Sequence, residues 1–339
     1  MMTYGDDIHQ VFKEDLPWKK LSGTNILITG ATGLIGSTLV EVLMSNPHCD
    51  YNVYASGRNM ERARMRFERF FFMESFHFVE YDVMCPLQSD VQFDYIIHAA
   101  SNACPNAFSR NPVEIVKANI YGVTNLIEYG LNHGMKRFLY VSSGEVYGES
   151  DGRIISEEYS GYVDCMNPRS CYPSSKRAAE TLCASYTAEY GVDVVIVRPC
   201  HVYGPNFTES DNRVYAQFIR NILKGEDIVM KSSGEQVRSW CYVVDCVSAL
   251  LYVLLKGASG EAYNIADPNS VLSIRQFAEM VATIGNANVV IEVPSEVERK
   301  GYNPVTKSVF SVNKLKELGW KVSGDMKEKM RKTIEMLHG

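Results

Sequence analysis

The chain has 339 residues, of which 46% are hydrophobic and 22% are charged, and its formal net charge is −6. This composition is that of a globular protein, and the net negative charge argues against a surface that binds nucleic acid or an anionic membrane. No apolar run approaches the roughly 18 residues that a membrane-spanning helix needs.

The cysteines and the N-terminal segment indicate in which cellular compartment the protein is expected. The nine cysteines are odd in number and form no C-x-x-C pair, so we expect reduced thiols and neither a disulfide framework nor a metal site. The N-terminal residues carry acids early and lack an apolar core, which is not typical of a secretory signal. We therefore predict a cytoplasmic protein that begins with a short amphipathic helix.

The first part of the chain alternates between short apolar strands and longer helices. Strands are expected at residues 25–29, 52–56, 76–83, 94–100, 137–143 and 192–199. Helices between them are expected at Leu34–Ser45, Pro112–His133 and Ser174–Tyr190. Because parallel strands need crossover helices, this order predicts an α/β fold, a doubly wound parallel sheet with helices on both faces.

After residue 200 the pattern loosens and predicts a second, smaller α/β lobe. A strand and helix at 240–256 are expected to rejoin the sheet, whereas helices near 273–284 and 312–318 are expected in the lobe. We predict a first domain at residues 1–204 with about 236–262, and the lobe at 205–235 and 263–339. No low-complexity linker separates them, so one interleaved unit is expected.

Three glycines stand between the first strand and the first long helix. Gly30, Gly33 and Gly36 follow one another at three-residue spacing in GATGLIG. Glycine permits a tight turn and the close approach of a pyrophosphate, and the helix N-terminus offers N–H groups and a partial positive charge. The turn predicts dinucleotide binding. The expected cofactor contacts in it are Gly30, Thr32, Gly33, Leu34, Ile35 and Gly36.

The end of the second strand bears on which dinucleotide binds. An acid there would hold the ribose 2′-hydroxyl of NAD, whereas an arginine suits the 2′-phosphate of NADP. This chain has Ser56 and Arg58 there and no acid. That favours NADP over NAD, although Arg58 is also consistent with a solvated loop. Asp82, at the end of the third strand, is a candidate for the adenine amine or a plain turn aspartate.

A tyrosine and a lysine in YPSSK (172–176) suggest the chemistry. Tyr172 and Lys176 are spaced i and i+4, so on a helix they share one face. A phenol of pKa about 10 is a poor base at neutral pH, but a neighbouring ammonium and the positive ring of an oxidised nicotinamide favour the phenolate. Ser143, at the end of a strand, can share the proton of a substrate hydroxyl. The triplet predicts proton abstraction from an alcohol.

Several segments together carry a family resemblance over most of the chain: GATGLIG (30–36), HAAS (98–101), Asn119 with Tyr121-Gly122, VSSGEVYG (141–148), YPSSK (172–176), RPCHVYGP (198–205) and RSWCYVVD (238–245). In these segments the chain resembles the extended short-chain dehydrogenase/reductase superfamily, in its branch of NAD-dependent epimerases and dehydratases that modify nucleotide sugars. The resemblance implies a Rossmann domain, a C-terminal lobe for the nucleotide sugar, and a homodimer.

The resemblance also implies residue roles. Ser143, Tyr172 and Lys176 would be catalytic, and Glu145 would act beside them. Further cofactor contacts are implied at Val83, Ala99, Ala100, Ser101, Asn119, Tyr172, Lys176 and Pro199. The substrate would meet Ser143, Glu145, His201 and Arg238, with Arg238 near the diphosphate, because an arginine suits phosphate oxygens; a surface arginine before a strand is the alternative. Asparagine is frequent in the family where His201 stands, and Lys307 replaces an expected arginine in the segment 303–315.

The pair Gly144-Glu145 bears on the reaction. Dehydratases of this type resemble the site but carry Asp-Glu there, UDP-glucuronate decarboxylases carry the glutamate after a serine, and epimerases carry small or hydroxylated residues at both places. The segments at 168–182 and 236–245 look like the decarboxylase versions. We therefore expect decarboxylation of a nucleotide-linked uronic acid through a 4-keto intermediate. Epimerisation and 4,6-dehydration stay open.

Two further alternatives remain, one for the role of Glu145 and one for the function of the whole chain. Glu145 could simply hold backbone N–H groups of its turn instead of acting on the sugar. The whole chain could be a non-catalytic, cofactor-sensing regulator, as some relatives of the superfamily are, but the intact Ser143, Tyr172 and Lys176 favour an enzyme.

Overall fold

The computed structural model describes residues 3–47, 50–292, 305–322 and 324–338. The helices are α1 (Tyr4–Val11), α2 (Leu34–Met44), α3 (Met60–Phe67), α4 (Pro105–Arg110), α5 (Pro112–Asn132), α6 (Cys171–Tyr190), α7 (Val214–Leu223), α8 (Val243–Lys256), α9 (Ile274–Gly285), α10 (Asn313–Glu317) and α11 (Met326–His338). The strands are β1 (Asn25–Thr29), β2 (Asn52–Gly57), β3 (Phe76–Glu80), β4 (Tyr95–His98), β5 (Arg137–Val141), β6 (Val194–Pro199), β7 (His201–Tyr203), β8 (Ile228–Met230), β9 (Val237–Tyr242), β10 (Glu261–Ile265), β11 (Val271–Ser273), β12 (Val289–Ile291) and β13 (Lys307–Ser308).

A seven-stranded parallel sheet forms the centre, in the order β10-β6-β5-β4-β1-β2-β3. Successive side chains of a strand point to opposite faces, and β1 uses both. Ile26 and Ile28 belong to one hydrophobic cluster, with residues of α2 and α8, whereas Leu27 belongs to another, with residues of α5 and α6. The sheet is therefore covered by helices on both faces, and the predicted doubly wound α/β fold is confirmed.

Of the strand and helix predicted at 240–256, the helix packs on the large sheet as α8, whereas the strand differs from the expectation. The strand β9 does not join the large sheet; it lies in a small sheet with β7, β11 and β13. Both edges of β6 are already occupied, by β5 and β10, so β9 pairs with β7, which continues the chain directly after β6. The seventh strand of the large sheet is β10, at residues 261–265, across the boundary expected near residue 262.

The N-terminal helix α1 was predicted, and its contacts explain its stability. Thr3 and Asp6 form a capping box at its start. Lys332 of α11 forms a buried ion pair with Asp7 of α1, with Nζ 2.8 Å from the carboxylate. The chain ends are thus tied together beside α2.

Membrane and disulfide expectations can be compared with the described residues. Within those residues, no helix is both long and apolar enough to cross a membrane. The eight cysteines that lie in them are all free thiols; Cys49 lies outside the described residues. No cluster of metal-ligating side chains is found in the same part of the chain.

Candidate active site

The glycine turn connects β1 to α2 at the C-terminal edge of the large sheet. Gly30 has φ +69°, a left-handed conformation that favours glycine, and a Cβ there would stand 2.7 Å from Cα of Ala100. Gly33 is the N-cap of α2 and makes no side-chain capping hydrogen bond, so it leaves the first N–H groups of the helix without a side-chain cap. Thr32 lies in the turn, and Leu34, Ile35 and Gly36 begin the helix. This cradle fits a pyrophosphate.

The ends of β2 and β3 lie beside that turn. Ser56 is buried, and its Oγ has no hydrogen-bond partner among the described residues, which points to a polar group that the chain itself does not supply. The guanidinium of Arg58 lies 3.7 Å from Glu114 and 4.0 Å from Asp82. The carboxylate of Asp82 accepts a hydrogen bond from the backbone N–H of Met84, as a turn aspartate does; β3 itself ends earlier, at Glu80.

A hydrogen-bonded chain joins the segment after β4 to α6. Ser101 donates to Oδ1 of Asn119 at 2.8 Å, and Nδ2 of Asn119 donates to Oγ of Ser175 at 2.9 Å. Ser175 lies between Tyr172 and Lys176 in α6. Nearby, the carbonyl of Val83 accepts from Asn125 at 2.9 Å, and Ala99 donates its N–H to Thr29. These bonds fix the spacing between the glycine turn and α6.

The predicted triplet meets at the end of β5. Tyr172 and Lys176 share one face of α6, which begins at Cys171, earlier than predicted. Nζ of Lys176 is buried, donates to the carbonyl of Val141 at 2.9 Å and lies 5.8 Å from the Tyr172 ring centroid. Ser143 lies two residues beyond the strand, and its side chain is near enough to Tyr172 to lower the pKa of the phenol. The structure therefore brings the three side chains together.

The protonation of this triplet is set mainly by burial. Burial raises the pKa of Tyr172 to about 12, and the charge of Glu145 adds to the rise, whereas the hydrogen bond with Ser143 opposes it. Burial lowers the pKa of Lys176 to about 7, against the opposing charge of Glu180. In the protein alone the phenol therefore holds its proton, and additional positive charge is needed to make it a base.

Glu145 is paired with an arginine that the sequence analysis did not single out. Its two carboxylate oxygens accept hydrogen bonds from Nη1 and Nη2 of Arg169, at 3.0 and 3.1 Å. Arg169 lies over the ring of Phe108, which stacks on Tyr172 with centroids 4.6 Å apart. The alternative that Glu145 holds backbone N–H groups is not the arrangement observed. A signal existed, because Arg169 stands three residues before Tyr172 in PRSCY.

Arg238 is a positive residue of the small sheet. Arg238 is 4% exposed and donates to the carbonyls of Val237 and Val305, so it is a buried residue of β9 and not a surface residue before a strand. Burial lowers its pKa to about 10, and Glu145 opposes the fall, which leaves it charged at pH 7. No carboxylate of the described residues forms an ion pair with it.

His201 begins β7, and Pro199 ends β6 just before it. His201 is exposed by its accessible area, but many protein atoms surround its ring and remove part of its hydration. This burial, together with Arg238 and Arg213, lowers the pKa of His201 to about 3, so the ring is neutral at pH 7. Lys307 lies in β13 next to Val237; residues 303 and 304 of its segment lie outside the described residues.

Both the sequence and the fold resemble known proteins. The model of the NAD-dependent epimerase/dehydratase family matches residues 26–266. The chain belongs to this family. A UDP-glucuronic acid decarboxylase 1 of Xenopus tropicalis is 34% identical over 310 residues, which cover 91% of this chain and 71% of that protein.

Two further relatives extend the comparison. A UDP-glucuronic acid decarboxylase 6 of Arabidopsis thaliana is 33% identical, covering 91% of this chain and 87% of that protein. A solved UDP-glucose 4-epimerase of Thermotoga maritima, with UDP-glucose, has a TM-score of 0.77 and 26% identity, covering 92% of this chain and 97% of that one. The protein is therefore an enzyme of an NAD-dependent family.

The prediction that favoured NADP over NAD is not supported by the match to this NAD-dependent family. The physical reason lies around Arg58, whose guanidinium already faces two carboxylates, Asp82 and Glu114. A 2′-phosphate beside them would meet like charge, which opposes its binding. An arginine at the end of β2 is therefore not sufficient to indicate NADP.

A buried ion pair between Glu180 and Arg198, next to Ser142, gives a stability prediction. Arg198 of β6 donates to both carboxylate oxygens of Glu180 in α6, and Glu180 accepts from Ser142. Glu180→Ala should lower the free energy of unfolding by roughly 3–5 kcal/mol, because it leaves the Arg198 charge buried without its partner. Chemical denaturation followed by circular dichroism measures this. Glu189→Ala, on the exposed end of the same helix, should change stability by about 0.5 kcal/mol or less; equal effects of the two variants would contradict the prediction.

Proposed function

We propose that the protein decarboxylates a nucleotide-linked uronic acid of the UDP-glucuronate type, through a 4-keto intermediate, with NAD as its cofactor. The observation that carries this proposal is the paired Glu145–Arg169 geometry beside Tyr172. A guanidinium that holds one carboxylate through two parallel hydrogen bonds has the fork that suits another. The decarboxylase relatives, at 33–34% identity, support the same substrate class.

The cofactor would lie across the C-terminal edge of the large sheet. Its pyrophosphate would meet the turn at Gly30, Thr32, Gly33, Leu34, Ile35 and Gly36, and its adenosine would lie near Ser56, Arg58, Asp82 and Val83. The nicotinamide end would lie near Ala99, Ala100, Ser101, Asn119, Tyr172, Lys176 and Pro199. The orphaned hydroxyl of Ser56 supports NAD, because a buried hydroxyl without a partner suits a ribose hydroxyl. When bound, the cofactor accepts the hydrogen of the sugar C4 carbon as hydride and later returns it.

The side chains of this chain would move the protons. Tyr172, as phenolate, would take the proton of the C4 hydroxyl, with Ser143 sharing the hydrogen bond. The C4 ketone makes the C6 carboxylate a β-keto acid, so the C5–C6 bond breaks and carbon dioxide leaves. The electron pair stays on the enolate, and C5 is protonated from solvent beside Glu145. Tyr172 would finally return its proton to the C4 oxygen.

The other substrate contacts would orient the sugar. Arg169 would hold the uronate carboxylate, and Glu145 would stand in for that carboxylate when the cleft is empty of substrate. Arg238 would meet the diphosphate, because its buried charge has no carboxylate partner among the described residues. Neutral His201 would donate or accept one hydrogen bond there.

Assembly, domains and compartment are part of the proposal. Helices α5 and α6 expose apolar side chains, among them Val116 and Tyr121 on α5 and Tyr190 on α6, which supports a homodimer through these two helices. The cofactor domain would comprise residues 1–204 with about 236–262, extended to residue 265 by β10, and the substrate lobe would comprise residues 205–235 and the residues after β10. The free thiols support a cytoplasmic location.

Lysine removal gives a pH prediction. Lys176→Met should lower kcat and move the rising limb of kcat against pH to higher pH. The Tyr172 phenol loses the partial positive charge of Lys176, whose Nζ lies 5.8 Å from its ring centroid, and the pKa of the phenol rises further. The profile is measured under saturating substrate and NAD. Lys321→Met, at an exposed lysine, serves as the matched control and should leave the limb in place. An unshifted limb in Lys176→Met would show that the ammonium does not assist the phenol.

Epimerisation is the second candidate, because Gly144 places no second acid next to Glu145. The test is to incubate the protein and NAD with UDP-glucuronate, UDP-glucose and dTDP-glucose, and to record product masses and proton spectra. Loss of carbon dioxide from UDP-glucuronate supports the proposal. Unchanged mass with altered ring protons indicates an epimerase, and loss of water indicates a dehydratase; either result overturns it. No reaction with any sugar, while NAD still binds, indicates the regulator.

A further inference from the structure

Position 144 requires a glycine for steric reasons, and this requirement bears on which substrate the site accepts. A Cβ atom at this position would stand 2.5 Å from Cε2 of Phe310 and still closer to Cζ, where real Cβ atoms essentially never stand. The backbone of Gly144 is not in the left-handed region, unlike that of Gly148 in the same turn. Glycine is therefore needed here for space and not for conformation.

The Phe310 ring is held firmly in that space. Phe310 is 5% exposed, and its backbone N–H donates to Oγ of Ser239 at 3.1 Å. The residues on either side of it are hydrogen-bonded to Ile155 through the carbonyl of Val309 and the N–H of Ser311. Its ring lies 5.5 Å from that of Tyr147. A side chain at position 144 could not simply push the ring aside.

The position matters because of its neighbours. Gly144 stands between Ser143 and Glu145, and its Cβ direction also points within 3.4 Å of the Pro199 carbonyl. A side chain at 144 would therefore lie beside Ser143 and Glu145 and point towards the carbonyl of Pro199 at the end of β6. A carboxylate there would add a second negative charge beside Glu145 and would repel an anionic sugar in a site of low dielectric constant.

We propose that Phe310 is a specificity-determining residue: by filling the space of a side chain at position 144, its ring keeps a second carboxylate out of the cleft and so favours a sugar that is itself negatively charged. This inference rests on the proposed function, since it takes the substrate to be a uronate. It adds a residue from the C-terminal segment, far from the catalytic motifs in sequence, to the selection of that substrate.

The first test measures the steric coupling without any substrate. Gly144→Ser should lower the midpoint of thermal unfolding, because the new side chain collides with the ring. Adding Phe310→Ala should make Gly144→Ser nearly neutral, so that the two changes are strongly non-additive. Phe93→Ala, in a separate core cluster, is the matched control and should add independently to Gly144→Ser. Additive effects of Gly144→Ser and Phe310→Ala would overturn the steric part of the proposal.

The second test measures specificity by ligand binding. In the Phe310→Ala background, Gly144→Asp should weaken UDP-glucuronate relative to UDP-glucose by about tenfold or more, whereas the isosteric Gly144→Asn should not. Dissociation constants from calorimetry with NAD present give the two ratios. Equal ratios for Asp and Asn would overturn the proposal. If the unaltered protein binds UDP-glucose but not UDP-glucuronate, the uronate substrate is wrong and the proposal falls with it, while the steric coupling stands on its own measurement.

Discussion

Tyr172→Phe should lower kcat by roughly a thousandfold, the usual contribution of a positioned acid–base group. The change removes one oxygen atom and keeps the ring that stacks on Phe108, so packing is conserved. The lost oxygen is the proton acceptor for the C4 hydroxyl in the proposed chemistry. Single-turnover kinetics with UDP-glucuronate, followed by the absorbance of reduced nicotinamide, measures the loss.

The control makes the same chemical change on the same helix. Tyr190→Phe, at an exposed tyrosine near the end of α6, should keep kcat within about twofold, as surface changes usually do. Binding of NAD to Tyr172→Phe, measured by titration, should persist. A Tyr172→Phe variant that turns over at the unaltered rate would mean that the phenol is not the base.

Arg169→Ala should weaken the binding of UDP-glucuronate by about a hundredfold, because two charged hydrogen bonds to the sugar carboxylate are lost, together worth about 3 kcal/mol. UDP-glucose has no carboxylate, so its dissociation constant should change by less than about threefold. Calorimetric titration of both ligands in the presence of NAD measures the difference.

A conservative variant separates charge from geometry. Arg169→Lys keeps the positive charge but loses the planar fork, so its affinity for UDP-glucuronate should lie between those of the unaltered protein and Arg169→Ala. If Arg169→Ala weakens the binding of UDP-glucuronate and UDP-glucose equally, the arginine supports the structure of the site and does not bind the sugar carboxylate. The pair with Glu145 would then be structural.

Local patterns predicted the parts of the site that lie at the ends of strands. Ser143, Tyr172 and Lys176 were found because a strand end and an i, i+4 helical spacing determine their positions. The glycine turn was found for the same reason, since its three glycines stand directly between β1 and α2. The expectation for β9 was wrong, because strand pairing depends on which sheet edges remain free.

The NADP prediction was based on the residues at the end of β2 alone, without the charges around them. Arg58 was read by itself as a partner for a 2′-phosphate. The charges that neutralise it, Asp82 and Glu114, come from a different loop and a different helix. A position therefore cannot be assigned a ligand from its own residue type when its electrostatic neighbours are distant in sequence.

The sequence by itself indicated the doubly wound sheet, the glycine turn and the candidate residues Ser143, Tyr172 and Lys176, because each was read from a local pattern: strand–helix alternation, glycine spacing, a strand end or an i, i+4 helical pair. Only the tertiary structure decided that Glu145 pairs with Arg169, and that Phe310 stands where a side chain at position 144 would be. These contacts join residues 24 and 166 positions apart (169 − 145 and 310 − 144). Such contacts depend on how packed elements meet in space, which no local pattern of residues encodes.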